Sequence, residues 1–107
     1  MVESPFGTTF RVGRVERAEA FPETDKPEMV KLWIDLGEET VQSAAQLGYR
    51  HDPDALAGRQ VICATGLGTV RIAGFESEAL TVGVPDEEDH PVLVTPDEDV
   101  PLGGSLY

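Results

Sequence analysis

Positive charge is scarce in this sequence. Its 107 residues include 8 lysine and arginine residues against 20 aspartate and glutamate residues, so the formal net charge is −12. At low ionic strength such a chain repels itself and repels polyanions. We interpret the acidic excess as an adaptation to a salt-rich cytoplasm, because salt near 1 M shortens the Debye length to roughly 3 Å and screens the repulsion. The alternative interpretation is an acidic surface that meets a basic partner.

Cysteines and long apolar runs are also missing. The single cysteine, Cys63, excludes an internal disulfide framework and a zinc site built on cysteines. Because Cys63 lies in the apolar run 61–64, we predict a buried small hydrophobic residue rather than a reactive thiol. No apolar stretch approaches the length of a membrane span, and no charged-then-apolar leader is present. These absences predict a soluble, cytoplasmic protein that does not enter the membrane.

The composition predicts one folded domain over residues 1–107. A hydrophobic content of 40% is typical of a folded chain and argues against a disordered acidic tail. A chain of this length can bury one modest core, so any large partner must be met on the surface. The sequence contains neither an internal repeat nor a low-complexity tract.

A β-hairpin is predicted over residues 30–47. Residues 30–36 alternate without a break, which is typical of a half-buried strand. The inward side chains of this strand are Val30, Leu32, Ile34 and Leu36. Gly37 begins a turn, and a weaker alternation over residues 40–47 predicts the second strand. The outward face is unusual because it carries Trp33 between a lysine and an aspartate.

A first strand precedes this hairpin. It covers residues 10–15, and Phe21, followed by a proline, ends it. Val12 and Val15 would face opposite sides of a regular strand. A bulge at Gly13 is therefore predicted, since it would bring both valines to the same side.

A short helix is predicted between the third and fourth strands. Asp52 is a typical N-cap residue, Pro53 suits the first helical position, and Gly58 favours the end of the helix. The other strands are predicted at 60–65, 70–73, 79–84 and 92–95, with loops at 23–28, 74–78 and 86–90, a Pro- and Gly-rich tail at 96–107, and an irregular or oligomer-contacting segment at 1–9. Together these elements predict an all-β fold, a small closed OB-fold barrel of about five strands with one short helix between strands 3 and 4.

No segment carries a recognisable catalytic or cofactor-binding pattern. Gly66 and Gly68 follow a strand, but Arg71 occupies the third glycine position and no helix follows to receive a pyrophosphate. The acidic run 86–90 lacks the spacing of a calcium loop, so a solvated turn is favoured over a metal site. The serines and histidines have no triad context. We therefore predict a protein that is not an enzyme and that holds neither a cofactor nor a metal.

One polar and aromatic face is the best candidate for binding. Lys31 and Trp33 share the outward side of the predicted hairpin. Gln42 and Gln46 lie on the adjacent strand, and Arg71 stands near a glycine-rich loop. OB-folds hold single-stranded or looped nucleic acid with aromatic side chains and nearby cations and amides. The alternative is that Trp33 is covered by the tail or by a second subunit.

Several segments resemble the tRNA-binding-domain family and, within it, the stand-alone CsaA-type proteins. The resemblance rests on residues 10–15 (FRVGRV), 21–23 (FPE), 26–27 (KP), 31–37 (KLWIDLG), 43–46 (SAAQ), 56–59 (LAGR), 74–78 (GFESE), 96–97 (PD) and 100–101 (VP). It implies an OB-fold, a homodimer and a face that binds tRNA. In a chaperone-like role, it implies an apolar groove at the dimer contact that binds unfolded or export-competent polypeptide.

The same resemblance implies which side chains form the binding surface. The family's pattern supports Ser43, Gln46, Arg71, Ser77 and Glu78 as positions on this surface, with Lys31 and Trp33 beside them. Where the family has an asparagine followed by Pro-Arg, this chain has residues 66–70 (GLGTV), so Arg71 is the cation that remains in that loop. If RNA is bound, stacking on Trp33 at about 1 to 3 kcal/mol per base must supply much of the affinity. A module for a dedicated partner protein is a third interpretation.

Overall fold

The computed structural model describes residues 6–107, and the predicted packing of residues 1–5 lies outside this range. The strands are β1 (Thr9–Ala20), β2 (Val30–Asp35), β3 (Thr40–Ala45), β4 (Gln60–Thr65), β5 (Val70–Ile72), β6 (Phe75–Ser77), β7 (Leu80–Thr81), β8 (Gly83–Pro85) and β9 (Pro91–Leu93). Between β3 and β4 lie one 3₁₀ turn, Leu47–Tyr49, and the helix α1, Pro53–Leu56.

Five strands form a nearly closed barrel. Their order in the sheet is β3-β2-β1-β4-β7, and every neighbouring pair is antiparallel. The two edge strands approach each other, because Ala79 donates its backbone N–H to the carbonyl of Gln42 (3.2 Å) and the hydroxyls of Ser43 and Thr81 share a hydrogen bond of 2.8 Å. This architecture confirms the predicted small all-β fold of the OB type.

The predicted hairpin and short helix are both confirmed. Strands β2 and β3 pair from Val30 opposite Ala45 to Asp35 opposite Thr40, and the alternating side chains of β2 form the centre of the core. Helix α1 begins with proline, as predicted, and its Leu56 is fully buried. Among residues 6–107, no helix is both long enough and apolar enough to cross a lipid bilayer.

Cys63 is buried, as predicted. Its exposure is 0%, it belongs to the main apolar cluster, and burial raises the pKa of its thiol to about 12.

The bulge in β1 lies three residues later than predicted. The register against β2 shifts between Val15, which pairs with Ile34, and Arg17, which pairs with Trp33, so Glu16 is the extra residue. The prediction at Gly13 was wrong because Val12 and Val15 are both buried while facing opposite sides of β1. A bulge is therefore not needed to explain their burial.

Strand β5 confirms the short strand predicted at 70–73, but β6 lies in the segment that was predicted to be a loop at 74–78. Strand β6 pairs with β5, and Ala73 and Gly74 form the two-residue turn between them with φ angles of 46° and 86°. Positive φ at both central residues matches the twist of the flanking strands. The strand predicted at 79–84 is divided into β7, which closes the barrel, and β8, which pairs with β9.

The tail predicted at 96–107 is bound to the N-terminal half of β1. Val12 donates its N–H to the carbonyl of Gly104 (2.9 Å) and accepts from the N–H of Gly103 (2.8 Å), while Leu106 donates to the carbonyl of Phe10 (2.9 Å). The side-chain amide of Gln60 also bonds both backbone groups of Val100. This segment therefore provides backbone partners for an edge of β1 that β2 does not cover.

Candidate functional site

A row of three side chains crosses the outside of the barrel. Arg17 on β1 lies opposite Trp33 on β2, and Trp33 lies opposite Gln42 on β3. In the next row, Glu19 lies opposite Lys31. We call the surface formed by Arg17, Lys31, Trp33 and Gln42 the Trp33 face. As predicted, Lys31 and Trp33 share the outward side of β2, where both are half-buried.

The indole of Trp33 is held in place by its own chain. Its Nε1 donates to Oε1 of Gln42 (3.1 Å), and Nε2 of Gln42 donates to the carbonyl of Glu76 (2.9 Å). The ring of Phe75 on β6 meets the indole edge-to-face, with 5.6 Å between centroids. Thus the β5–β6 hairpin, rather than the tail, packs beside Trp33, in a small apolar cluster that also contains Phe21.

Arg17 supplies the guanidinium that contacts Trp33. Its Cζ lies 3.9 Å from the centroid of the indole, in cation–π geometry. The sequence indicated Arg71 as the arginine of the binding surface, but the cation–ring contacts within residues 6–107 come from Arg17 and Lys31. Arg71 is exposed on β5, opposite Glu76.

Lys31 brings a second positive charge to the Trp33 face. Its Nζ lies 4.7 Å from the centroid of Phe21 and 5.4 Å from that of Phe75. The ion pairs of residues 6–107 do not involve Lys31; they are Arg11–Glu38, Arg14–Asp99, Arg17–Glu19 and Arg50–Asp86. The ammonium of Lys31 is therefore not neutralised by a carboxylate of the described chain.

Ser43 was predicted to lie on the binding surface, but the structure buries it completely. Its hydroxyl bonds that of Thr81 inside the barrel, where it links the two edge strands. The alternation of β3 explains this position, because Ser43 shares the inward side with Val41. Ser43 therefore supports the barrel instead of presenting a polar group to a ligand.

The remaining predicted site residues contact the backbone of neighbouring segments. Ser77 accepts from the N–H of Ala44 (3.4 Å) and donates to the carbonyl of Ala79 (3.3 Å), which fixes β6 against β3. Glu78 accepts from the N–H of Gln42 (2.9 Å). Gln46 donates to the carbonyl of Pro27 (3.1 Å) in the loop before β2. These contacts hold the frame around the Trp33 face.

Exposed apolar side chains lie beside the β5–β6 hairpin. They are Leu67, Val70, Leu80 and Val84, which we call the apolar strip, and each is more than half exposed. Leu67, Val70 and Leu80 line one shallow depression, while Leu80 and Val84 line the next. Apolar side chains grouped in this way are typical of a contact surface.

The acidic run 86–90 forms a tight turn, as predicted. One carboxylate oxygen of Asp86 accepts from the N–H groups of Glu88 (2.8 Å) and His90 (3.0 Å), and the other pairs with Arg50 at 2.8 Å. Throughout residues 6–107, no group of three acidic, histidine or cysteine side chains is arranged to hold a metal ion. The oxygens of Asp86 therefore bind the protein itself.

The stability of this turn is expected to depend on pH. The N–H of His90, then Arg50 and the N–H of Glu88, lower the pKa of Asp86 to about 2. An aspartate in an unfolded chain has a pKa of about 3.9. Ionised Asp86 therefore stabilises the fold above that pH, and this contribution to stability is lost as the pH falls towards 2. We expect Asp86→Asn to lower the melting temperature at neutral pH and to match the wild type near pH 2. A difference that stays constant with pH would contradict this.

One known family matches nearly the whole chain. This family is the tRNA binding domain, and the match covers residues 10–105. The chain belongs to the tRNA binding domain family. The resemblance inferred from the sequence is thereby confirmed, and so is the assignment of a tRNA-binding domain to this fold.

Two solved structures show the same fold at the scale of the whole tRNA binding domain. The chaperone CsaA from Bacillus anthracis str. Ames is 35% identical, with a TM-score of 0.84, and the match covers 94% of this chain and 91% of that one. The CsaA chaperone protein from Picrophilus torridus is 29% identical, with a TM-score of 0.84, over 94% of this chain and 92% of that one.

Among curated proteins, the tRNA binding domain also matches part of a much longer enzyme. The methionine–tRNA ligase of Methanococcoides burtonii is 34% identical over 98 residues, which are 91% of this chain but 14% of the ligase. The chain thus spans about a seventh of the length of this relative.

Proposed function

We propose that this domain binds tRNA through the Trp33 face and acts by binding rather than by catalysis. The observation that carries the proposal is the fixed indole of Trp33 with the cations of Arg17 and Lys31 on the same outer surface of β1 and β2. OB-folds commonly bind oligonucleotides on the face of their second and third strands. Membership of the tRNA binding domain family supports tRNA as the ligand.

The other predicted residues take different parts in this proposal. Gln46 and Arg71 would meet RNA at the margins of the Trp33 face, since Arg71 is exposed and Gln46 is half-buried. Ser43 and Ser77 would act indirectly, by holding β3, β6 and β7 together. The substrate specificity of the ligases is not part of the proposal, because the match covers 14% of the ligase length.

We further propose that the domain works in concentrated salt. Residues 6–107 contain 19 of the 20 acidic residues, and four of these 19 form ion pairs with arginine, so most of the described carboxylates have no cationic partner. Salt weakens phosphate contacts, by a slope in log K of about −0.7 per phosphate for single strands. Stacking and hydrogen bonding on the Trp33 face must then provide a large share of the affinity.

A titration with deacylated tRNA over a range of salt concentrations tests the main proposal. Trp33→Ala is expected to weaken binding by about five- to 150-fold, because a base stacked on this face is worth about 1 to 3 kcal/mol. Tyr107→Ala is the matched control, since this aromatic side chain is 79% exposed and lies at the other end of the sequence. If the folded wild-type domain shows no affinity for tRNA even at the lowest salt that keeps it folded, the proposal is wrong.

The apolar strip supports a second candidate function, the binding of unfolded polypeptide by a homodimer. Four exposed aliphatic side chains offer a surface whose contacts strengthen with salting-out ions, whereas phosphate contacts weaken with salt. The same titration separates the two candidates when a permanently unfolded polypeptide is added as competitor. Displacement of tRNA by the unfolded polypeptide, or suppression of the aggregation of an unfolded protein, would support the second function. The absence of both effects, with the domain in stoichiometric excess in the aggregation assay, would count against it.

A further inference from the structure

We propose that the guanidinium of Arg17 is the platform on which an unpaired RNA base stacks, so that the Trp33 face binds looped or single-stranded segments and not duplex arms. This inference rests on the proposed function and specifies the part of the RNA that the site receives. Arg17 is not among the site residues that were predicted from the sequence. Its role follows from the β-bulge, the indole and the charges around it.

The bulge at Glu16 places Arg17 over the indole. Without the extra residue, the pairing of Val15 with Ile34 would continue with Glu16 opposite Trp33. A carboxylate would then lie over an electron-rich ring, which is unfavourable. The bulge advances the register by one residue, so that a guanidinium takes this position and Glu16 instead accepts from the hydroxyl of Thr40 at 2.8 Å. β-Bulges are commonly used to redirect a side chain in this way.

The guanidinium is fixed on one side and open on the other. Its Cζ lies 3.9 Å from the centroid of Trp33, and its Nε pairs with the carboxylate of Glu19 at 3.2 Å. The indole below it is held by Gln42 and Phe75. The side chain of Arg17 is nevertheless 61% exposed, so a ligand can reach it. A planar group already fixed in position loses little conformational entropy when a ring stacks on it.

The charges favour a base over a phosphate as the partner of this plane. Glu19 balances the charge of Arg17, so Coulomb attraction for a phosphate is reduced at this point, and the net charge of −12 reduces it further. Lys31, which has no carboxylate partner in the described residues, is the better phosphate contact. Guanidinium planes stack on bases that are free of their own helix, whereas the bases of an A-form duplex are already stacked and its major groove excludes side chains.

Arg17→Lys tests the stacking role, because it keeps the charge and removes the plane. With deacylated tRNA and with a short uridine oligomer, we expect about tenfold weaker binding than for the wild type and an unchanged dependence of log K on salt. A duplex of the same length should bind at least tenfold more weakly than the oligomer. Arg59→Lys is the matched control, since Arg59 is exposed and has no carboxylate partner within residues 6–107.

The single tryptophan offers a second readout. Because Trp33 is the one tryptophan of the chain, its emission reports on this site alone. Oligomer binding should change the emission in the wild type and much less in Arg17→Lys. A thermal unfolding curve for each variant checks the fold, and Arg17→Gln, which keeps a planar amide and is expected to retain part of the affinity, replaces Arg17→Lys if the latter is unstable.

The outcomes separate the inference from the function on which it rests. If Arg17→Lys binds like the wild type, or loses affinity together with salt dependence, Arg17 is not a stacking platform, although tRNA binding itself stands. Equal affinity for duplex and oligomer overturns the inference in the same way. If the wild type binds no tRNA, the proposed function fails and the inference fails with it.

Discussion

Phe75→Ala is expected to lower the free energy of unfolding by about 3 kcal/mol and to weaken tRNA binding more than tenfold. Phe75 is 9% exposed and contacts Phe21 and Trp33, with 5.6 Å between centroids in both cases. Its removal leaves a cavity beneath the β5–β6 hairpin. The indole of Trp33 then loses its edge-to-face partner and becomes mobile, together with the guanidinium of Arg17 that lies over it. Binding is weaker because RNA must first order both groups.

Chemical denaturation and the tRNA titration measure the two effects of this change. Phe6→Ala makes the same chemical change at a side chain that is 45% exposed, and we expect it to cost less than about 1 kcal/mol. A Phe75→Ala domain that is destabilised but binds tRNA normally would show that the hairpin does not organise the Trp33 face. If stability were also unchanged, the packing described for Phe75 would itself be contradicted.

Gly13→Ala is expected to destabilise the barrel by about 2 kcal/mol, with little direct effect on RNA binding by the folded fraction. A Cβ atom at Gly13 would lie 2.3 Å from Cγ2 of Ile34 and 3.0 Å from Cδ2 of Leu36. Ile34 is fully buried and β-branched, so its methyl group cannot move aside without shifting the backbone of β2. The overpacking energy outweighs the gain in strand propensity from replacing glycine.

Gly104→Ala is the control for this substitution. Gly104 bonds the same strand through Val12, but a Cβ atom there would meet its nearest neighbour, the carbonyl oxygen of Pro101, at an ordinary 3.7 Å. The unfolding midpoint of Gly104→Ala in urea should lie close to that of the wild type. The midpoint of Gly13→Ala should lie clearly below the wild-type value. Equal midpoints for the two variants would contradict the close approach of β1 and β2 at Gly13.

The hairpin of β2 and β3 could be predicted because its signals lie in residues that are close together in the sequence. One side of β2 is buried, and a period of two residues is the direct consequence of that burial. Helix α1 was equally accessible, because a proline and a following glycine mark its two ends within six residues of sequence. The number of short strands and the single helix between the third and fourth strands then predicted a closed barrel, and the family likeness implied the same fold.

The β5–β6 hairpin and the role of Arg17 could not be predicted, for two different reasons. The sequence predicted β5, but its partner β6 has three residues, which is too short for a period, and the turn contains Ala73 at a positive φ that alanine rarely adopts. Arg17 depends on the position of the bulge. Counting residues from the end of the β1–β2 pair that is next to their connecting loop places Arg17 opposite Trp33. Counting from the pair Val15 and Ile34 places Glu16 there.

Ser43 shows how a family likeness and a local pattern can disagree. The resemblance placed this side chain at the surface, whereas the observed alternation of β3 puts it on the inward side with Val41. The structure agrees with the alternation, because the hydroxyl finds a buried partner in Thr81 and so loses nothing by leaving water. The partner lies 38 residues away along the chain, so no local pattern could identify it.

The bonds between β1 and residues 103–106 have a consequence for the order in which the domain is made. The first strand leaves the ribosome early, but its partners at Gly103, Gly104 and Leu106 are synthesised about ninety residues later. Until then, the edge of β1 near Val12 remains open to pairing with another nascent chain. The pairing of this edge of β1 therefore waits until residues 103–106 have been translated.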